Sequence, residues 1–144
     1  TGLNKHPEPY TQRKEIFEKN ATDNLDYRLS PAVKGLLQTE NIAAELLDPV
    51  TKDLVICMLY NMDTTGGNSG SPVMDGEGNL IGLAFDGNWE AMSGDIAFET
   101  ELQRTISVDI RYTLFIIDKY AGAGHLIKEM DLVFDEPESE TKSE

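Results

Sequence analysis

The sequence predicts a mostly β fold with flanking helices, an α+β domain, and three features lead to this class. Two short apolar runs, at residues 54–60 and 80–85, are bounded by turn residues and are typical of strands. A stretch rich in glycine and serine, residues 64–73, lies between them. Apolar residues recur at helical spacing on either side of this region, at residues 31–37 and 112–120.

Length and composition favour one folded domain and exclude some partners. The 144 residues suffice for a modest core, and 40% hydrophobic with 26% charged residues is a globular composition. No apolar run reaches the roughly 18 residues that a membrane-spanning helix needs, and residues 1–5 are not followed by the apolar core of a signal peptide. A net charge of −14 argues against a nucleic-acid partner.

Residues 1–50 are expected to form an N-terminal arm with short helices that leads into the next part of the chain. The arm is polar and rich in turn formers, with a short helical turn at residues 13–19. A helix should begin after Ser30, because serine caps helices and Pro31 suits the first helical position. A second helical patch is expected at residues 42–47.

Residues 51–134 are expected to form the β domain with its C-terminal helices. Strands at residues 71–74 and 80–85 should form a hairpin, since Asp-Gly-Glu-Gly-Asn at 75–79 is a strong turn signal. The Asp86-Gly87-Asn88-Trp89 sequence should end the second strand. Trp89 either walls the site or fills the core, and the core is the default expectation. Four more elements are expected: strands at 97–101 and 105–110, and helices at 112–120 and 125–130. An extended piece at 131–134 and a disordered acidic tail at 135–144 should follow.

The stretch at residues 64–73, Thr-Thr-Gly-Gly-Asn-Ser-Gly-Ser-Pro-Val, has the composition that a serine nucleophile requires. Glycines on both sides of Ser69 allow a tight turn that directs backbone amides toward one point. Ser69 is therefore the candidate nucleophile, and the N–H groups of Gly67 and Ser69 are the candidate oxyanion donors. The same residue types also make ordinary turns, but the flanking strands favour the nucleophile.

The sequence resembles the C-terminal part of the bacterial dipeptidyl-peptidase 7 and 11 family of serine exopeptidases, most closely the dipeptidyl-peptidase 7 type. The resemblance covers about half the chain closely, at residues 64–75, 79–83, 85–90, 94–96, 103–104, 108–112 and 117–130. It implies a chymotrypsin-like double β-barrel with an inserted helical domain. This chain would then be the second barrel half, which carries the nucleophile, with a C-terminal helix.

The resemblance also implies two substrate-binding residues. Asp86 would hold the free N-terminal ammonium of the substrate, and Gly87 would lie at the primary specificity pocket. Family members with arginine at the second position prefer acidic penultimate side chains. Because Gly87 provides no cation, a buried substrate carboxylate would be unpaired, so the expected substrates carry a hydrophobic penultimate residue. The alternatives from sequence alone are a solvated turn aspartate and a simple turn glycine.

The catalytic base is expected outside this chain. His6 lies in the arm and His125 in an apolar helix, so neither is a good candidate. The family places its histidine and aspartate upstream, and the chain is therefore interpreted as a fragment with no useful peptidase activity alone. Such a fragment exposes the face that met the other barrel half, so it should form a homodimer or otherwise self-associate, by pairing exposed strands or by swapping the arm. Cys57 is expected to pack in a strand rather than to react.

Other expectations concern cofactors, location and alternative functions. No metal-ligand spacing or phosphate-binding glycine loop is present, so no cofactor is expected. The resemblance implies the periplasm or cell surface of a Gram-negative bacterium, with peptides that have a free N-terminus as partners. Two alternatives stay open: a glutamyl-endopeptidase-like serine protease, and a non-catalytic acidic interaction module that retains a protease fold.

Overall fold

A five-stranded antiparallel sheet dominates the structure, a computed structural model that describes residues 10–93 and 101–134. The strand order is β1-β2-β5-β4-β3. The strands are β1 (Tyr10–Gln12), β2 (Val55–Tyr60), β3 (Pro72–Met74), β4 (Leu80–Gly87) and β5 (Thr105–Asp109). The predicted class, mostly β with a few helices, is confirmed.

Four α-helices flank this sheet among the described residues: α1 (Arg13–Asn20), α2 (Pro31–Leu37), α3 (Ile110–Phe115) and α4 (Gly124–Ile127). The last residue of α3 leads into a π-helical turn, Ile116–Tyr120, and 3₁₀ turns occur at Leu25–Tyr27, Ala44–Leu46 and Trp89–Ser93. The predicted start of α2 is confirmed, because the Ser30 hydroxyl accepts a hydrogen bond from the Val33 N–H at 3.3 Å.

Several predicted boundaries are wrong. Strand β1 was not expected, and β4 continues through Asp86 and Gly87 instead of ending at Phe85. Helix α3 begins at Ile110, two residues early, because the Asp109 carboxylate accepts the Arg111 N–H at 2.8 Å and caps it. Helix α4 ends at Ile127. Of the strand expected at 97–101, residues 97–100 lie outside the described residues.

The core lies between the sheet and the helices. Leu37 of α2, Leu54 and Ile56 at β2, and Phe115 of α3 are at most 4% exposed and form one cluster. Cys57 packs against this cluster, as expected of a packing residue. Burial raises the pKa of its thiol. The first part of the chain therefore contributes directly to the core beneath β2.

Strand β5 carries a row of buried polar side chains, Thr105, Ser107 and Asp109. Two of them have partners at the end of β2 and just beyond it: the Ser107 hydroxyl lies 2.5 Å from the Tyr60 hydroxyl, and the Thr105 hydroxyl donates to the Met62 carbonyl at 2.9 Å. These bonds fix the chain just before residues 64–73. The predicted division at residues 50 and 134 stays a prediction. No helix of the described ranges is long and apolar enough to cross a membrane.

Candidate active site

The loop that carries Ser69 is shaped by its own glycine and asparagine residues. Gly67 and Gly70 have φ values of +100° and +85°, which side-chain-bearing residues rarely adopt. The Asn68 side-chain oxygen accepts the Thr65 N–H at 2.8 Å, and the Asn68 N–H donates to the Thr65 carbonyl at 3.2 Å. The loop is therefore closed on itself immediately before Ser69.

Strand β4 holds the other end of this loop. The Gly70 N–H donates to the Ala84 carbonyl at 2.6 Å, and the Ala84 N–H donates to the Ser71 carbonyl at 2.9 Å. The pairing of β4 with β5 shifts register between Ala84 and Asp86, so Phe85 lies in a bulge. Ser69 is exposed, and its hydroxyl lies 3.5 Å from the Phe85 carbonyl. The candidate nucleophile thus lies beside the residue that precedes Asp86.

Both candidate oxyanion donors lie in this exposed turn. The N–H groups of Gly67 and Ser69 donate no hydrogen bond to any other described residue. Backbone donors in an exposed loop without a protein acceptor are available to an incoming oxygen atom. The assignment of this pair as oxyanion donors stays a prediction, and Gly67 supplies the positive φ that the turn needs.

A hollow of about 280 Å³ lies next to this turn. Residues 64–66 of the loop form one wall, residues 86–88 at the end of β4 form the other, and Ala91 completes the lining. A Cβ atom built on Gly87 would lie 2.9 Å from the Ala91 Cβ, so the space depends on glycine at this position. Ser69 itself is not a lining residue. The structure thus brings Asp86 and Gly87 together in the hollow.

Asp86 is exposed, and one of its carboxylate oxygens accepts the Gly87 N–H at 2.8 Å. Its other oxygen contacts no further group within the described ranges, so it is accessible to a cation from solvent. The described lining of the hollow contains this carboxylate and no lysine or arginine. The nearby Arg104 guanidinium donates instead to the carbonyls of Gln103 at 2.7 Å and Glu101 at 3.2 Å.

No general base accompanies Ser69 in the described part of the chain. The hydroxyl contacts the Phe85 carbonyl, and no described imidazole or carboxylate reaches it. His125 lies on α4, and His6 lies outside the described residues. No group of three or more His, Cys, Asp or Glu side chains that could hold a metal ion is present among the described residues.

Two residues at the end of β4 differ from the expectations: Asn88 was not predicted as a site residue, and Trp89 does not take its default place in the core. Trp89 is 81% exposed, so the expectation that it fills the core is wrong. Asn88 lines the hollow and ties the end of β4 to the segment that precedes β5. An asparagine directly after a strand is a weak sequence signal, because its amide can donate and accept in many turn types.

Comparison with known proteins places these features in a family. A family model described as Peptidase S46 matches residues 4–132. A protein named Dipeptidyl-peptidase 7 from Porphyromonas endodontalis is 54% identical over 124 residues, 86% of this chain and 15% of that protein. A protein of the same name from Phocaeicola vulgatus is 48% identical over 128 residues, 89% of this chain and 18% of that protein.

Relatives with a different printed specificity also match. An Asp/Glu-specific dipeptidyl-peptidase from Capnocytophaga gingivalis is 60% identical over 78 residues, 54% of this chain and 11% of that protein. The crystal structure of Porphyromonas endodontalis DPP11 in complex with the dipeptide Arg-Asp has a TM-score of 0.79 at 39% identity. The structural match covers 88% of this chain and 18% of the DPP11 chain.

These comparisons limit what is known of the whole protein. The chain spans less than one fifth of the length of these relatives. The expected hydrophobic preference is not supported, since relatives named as Asp/Glu-specific and a complex with Arg-Asp are among the matches. The expected homodimer is not supported either.

Proposed function

The chain belongs to the peptidase S46 family, and on this premise we propose that it carries the nucleophile and the substrate pocket of a serine peptidase that releases dipeptides from peptide N-termini. One observation carries the proposal. Ser69 lies between two glycines with positive φ, and its hydroxyl faces the Phe85 carbonyl, directly before Asp86 in the hollow. The activity is proposed for a protein of the relatives' length that contains this chain.

In the proposed reaction, the Ser69 hydroxyl oxygen attacks the carbonyl carbon of the scissile peptide bond while a general base takes its proton. The base is supplied from outside the described residues. The carbonyl oxygen becomes an oxyanion and accepts hydrogen bonds from the N–H groups of Gly67 and Ser69. The intermediate collapses, the protonated base gives its proton to the leaving amine, and water then hydrolyses the acyl-enzyme.

The exposed carboxylate of Asp86 supports release of dipeptides rather than internal cleavage. A substrate ammonium held there would set a fixed distance from the free N-terminus to Ser69, and a blocked N-terminus would lose this charge-assisted bond. One Asp86 oxygen is already fixed by the Gly87 N–H, so the carboxylate is oriented before a substrate arrives. A carboxylate oriented in this way favours an exopeptidase over the glutamyl-endopeptidase alternative.

We further propose that the hollow takes an apolar penultimate side chain. Names of several relatives point instead to acidic side chains, and those names concern the relatives. What supports the apolar preference is the described lining, which offers an acidic side chain no cation and places the Asp86 carboxylate beside it. An apolar side chain would gain roughly 25 cal/mol per Å² removed from water.

Three finer points rest on the resemblance alone and belong to the same proposal. The sheet would be the second barrel half of a chymotrypsin-like double barrel. The protein would act in the periplasm or at the cell surface, which fractionation of the source cells tests. The isolated chain would form a homodimer, which sedimentation at several concentrations tests.

The deciding experiment uses the full-length parent and four reporters: dipeptidyl amides with penultimate leucine or aspartate, an N-acetylated form of the leucine reporter, and an internally quenched peptide. Cleavage of the free leucine reporter, lost in Ser69→Ala, supports the proposal. Cleavage of the acetylated reporter at the same rate identifies an endopeptidase and removes Asp86 from the site. Faster cleavage of the aspartate reporter than of the leucine reporter contradicts the proposed apolar pocket. Absence of cleavage of all four reporters favours the non-catalytic module.

A further inference from the structure

Asn88 connects three parts of the chain through one side chain. Its Nδ2 donates to the Leu102 carbonyl at 2.7 Å. Its Oδ1 accepts the Arg104 N–H at 2.8 Å and the Ala91 N–H at 3.2 Å. Its own N–H donates to the Arg104 carbonyl at 2.9 Å. The side chain therefore uses both its donor and its acceptor. Two of its hydrogen bonds join residues that are 14 and 16 positions apart in the sequence.

These bonds fix the wall opposite the loop. The Ala91 N–H donates to Asn88 twice, to the side-chain oxygen at 3.2 Å and to the backbone carbonyl at 3.0 Å. The position of Ala91 then limits the space at Gly87, because a Cβ atom there would lie 2.9 Å from the Ala91 Cβ. Asn88 is thus bonded to one of the two lining residues that define this space.

From this geometry we infer that Asn88 is a specificity-positioning residue, which holds Ala91 against Gly87 and so sets the width of the pocket for the penultimate side chain. The inference rests on the proposed function and adds a residue to it. Asn88 acts through Ala91 and Gly87 and needs no contact with the reacting atoms. Its loss should therefore change which side chains are accepted and leave the reactivity of Ser69 in place.

The test compares the full-length parent with Asn88→Ala and Asn88→Asp, with Asn79→Ala as the control. Asn79 makes a comparable side-chain bond, 2.9 Å from its Nδ2 to Asp75, but in the hairpin turn away from the hollow. The readouts are kcat/KM for reporters with penultimate leucine or alanine, and the rate at which diisopropyl fluorophosphate inactivates Ser69. That probe carries no penultimate side chain, so it reports the nucleophile alone.

We expect Asn88→Ala to lower the leucine-to-alanine ratio of kcat/KM about tenfold, mainly through KM, because pocket contacts of one or two methylene groups are worth this much. Asn88→Asp keeps the acceptor for Ala91 and Arg104 and should retain a larger part of the ratio. The inactivation rate should stay within about twofold in all variants, since the Ser69 turn is unchanged. Asn79→Ala should keep the wild-type ratio.

Three results overturn the inference. The ratio is unchanged in Asn88→Ala, the inactivation rate falls as far as the turnover, or Asn79→Ala lowers the ratio equally. A wild-type parent that cleaves neither reporter is a failure of the proposed function, and the inference then falls with it. The two failures are distinguishable because the first leaves the wild-type enzyme active.

Discussion

Replacing Gly87 by arginine tests whether this position faces the penultimate side chain of the substrate. A Cβ atom at residue 87 would lie 2.9 Å from the Ala91 Cβ and 3.6 Å from the Arg104 carbonyl oxygen. The first distance is too short, so Ala91 must move before any side chain fits. Adding Ala91→Gly removes the opposing methyl group, and the double variant Gly87→Arg/Ala91→Gly should admit the guanidinium to the hollow with less displacement.

The magnitude follows from the described lining of the hollow, whose one charge is the Asp86 carboxylate. A guanidinium–carboxylate hydrogen bond is worth about 1.5–3 kcal/mol, or roughly tenfold to a hundredfold in kcat/KM. Asp86 competes for the same cation, which favours the lower value for an aspartate substrate. Filling the hollow should lower kcat/KM for the leucine substrate by about tenfold. We therefore expect the aspartate-to-leucine ratio of kcat/KM to rise about a hundredfold.

The assay measures kcat/KM of the full-length parent for reporters with penultimate aspartate and leucine. Gly87→Gln/Ala91→Gly is the matched control, because glutamine fills the space without charge, and it should lose leucine activity without gaining aspartate activity. Inactivation by diisopropyl fluorophosphate shows whether the Ser69 turn is intact. If the ratio of the arginine variant stays at the wild-type value while inactivation is normal, residue 87 does not face the penultimate side chain and the reasoning is refuted.

Three further predictions concern the nucleophile, the ion pair between Asp109 and Arg111, and acid stability. Ser69→Ala should lower kcat of the parent by about 10⁴-fold or more at an unchanged melting temperature; activity within tenfold would exclude Ser69 as nucleophile. Asp109→Ala should lower the free energy of unfolding in urea by about 3 kcal/mol, because it removes the carboxylate that binds the Arg111 guanidinium at 2.8 Å and caps α3, and an unchanged midpoint would contradict this. The Thr51 N–H donates to the Asp48 carboxylate and holds the pKa of Asp48 below its ordinary value of 3.8. The ionised carboxylate therefore makes its full contribution to the free energy of unfolding above that pH, and this contribution is lost as pH falls through the lowered pKa. The stability gap between the wild type and Asp48→Asn in urea should thus shrink from pH 6 to pH 2; a constant gap would refute this.

The hairpin of β3 and β4 was predictable because its signal is local. The Asp75 carboxylate accepts the N–H groups of Glu77 at 3.0 Å and Asn79 at 2.8 Å, and Gly78 has a φ of +89°. These contacts lie within five residues, so the Asp-Gly-Glu-Gly-Asn sequence contains all the groups that make the turn. The Ser30 cap of α2 was predictable for the same reason.

Strand β1 was not predictable from its three residues. Tyr10–Gln12 shows no apolar alternation, and it becomes a strand because it pairs with β2, where Tyr10 lies opposite Met58. The Arg13 N–H then donates to the Leu54 carbonyl at 3.1 Å, and the Arg13 guanidinium binds Asp53 at 2.8 Å. Partners 40 or more residues away thus decide the structure of a polar segment, and no local pattern contains them.

The candidate site likewise contains a part that is determined by local contacts and a part that is determined by contacts between residues distant in sequence. Ser69 and Gly67 were found because a glycine-rich turn creates its own geometry, with Asn68 closing the loop onto Thr65. The hollow arises otherwise: β4 runs past Phe85 because β5 pairs with its end, and Asn88 then ties that end to Leu102. A residue that positions a pocket through partners distant in sequence has no motif. Such residues are identified from the hydrogen bonds of the folded chain. Asn88 is an example, and the substrate specificity of its variants tests the role assigned to it.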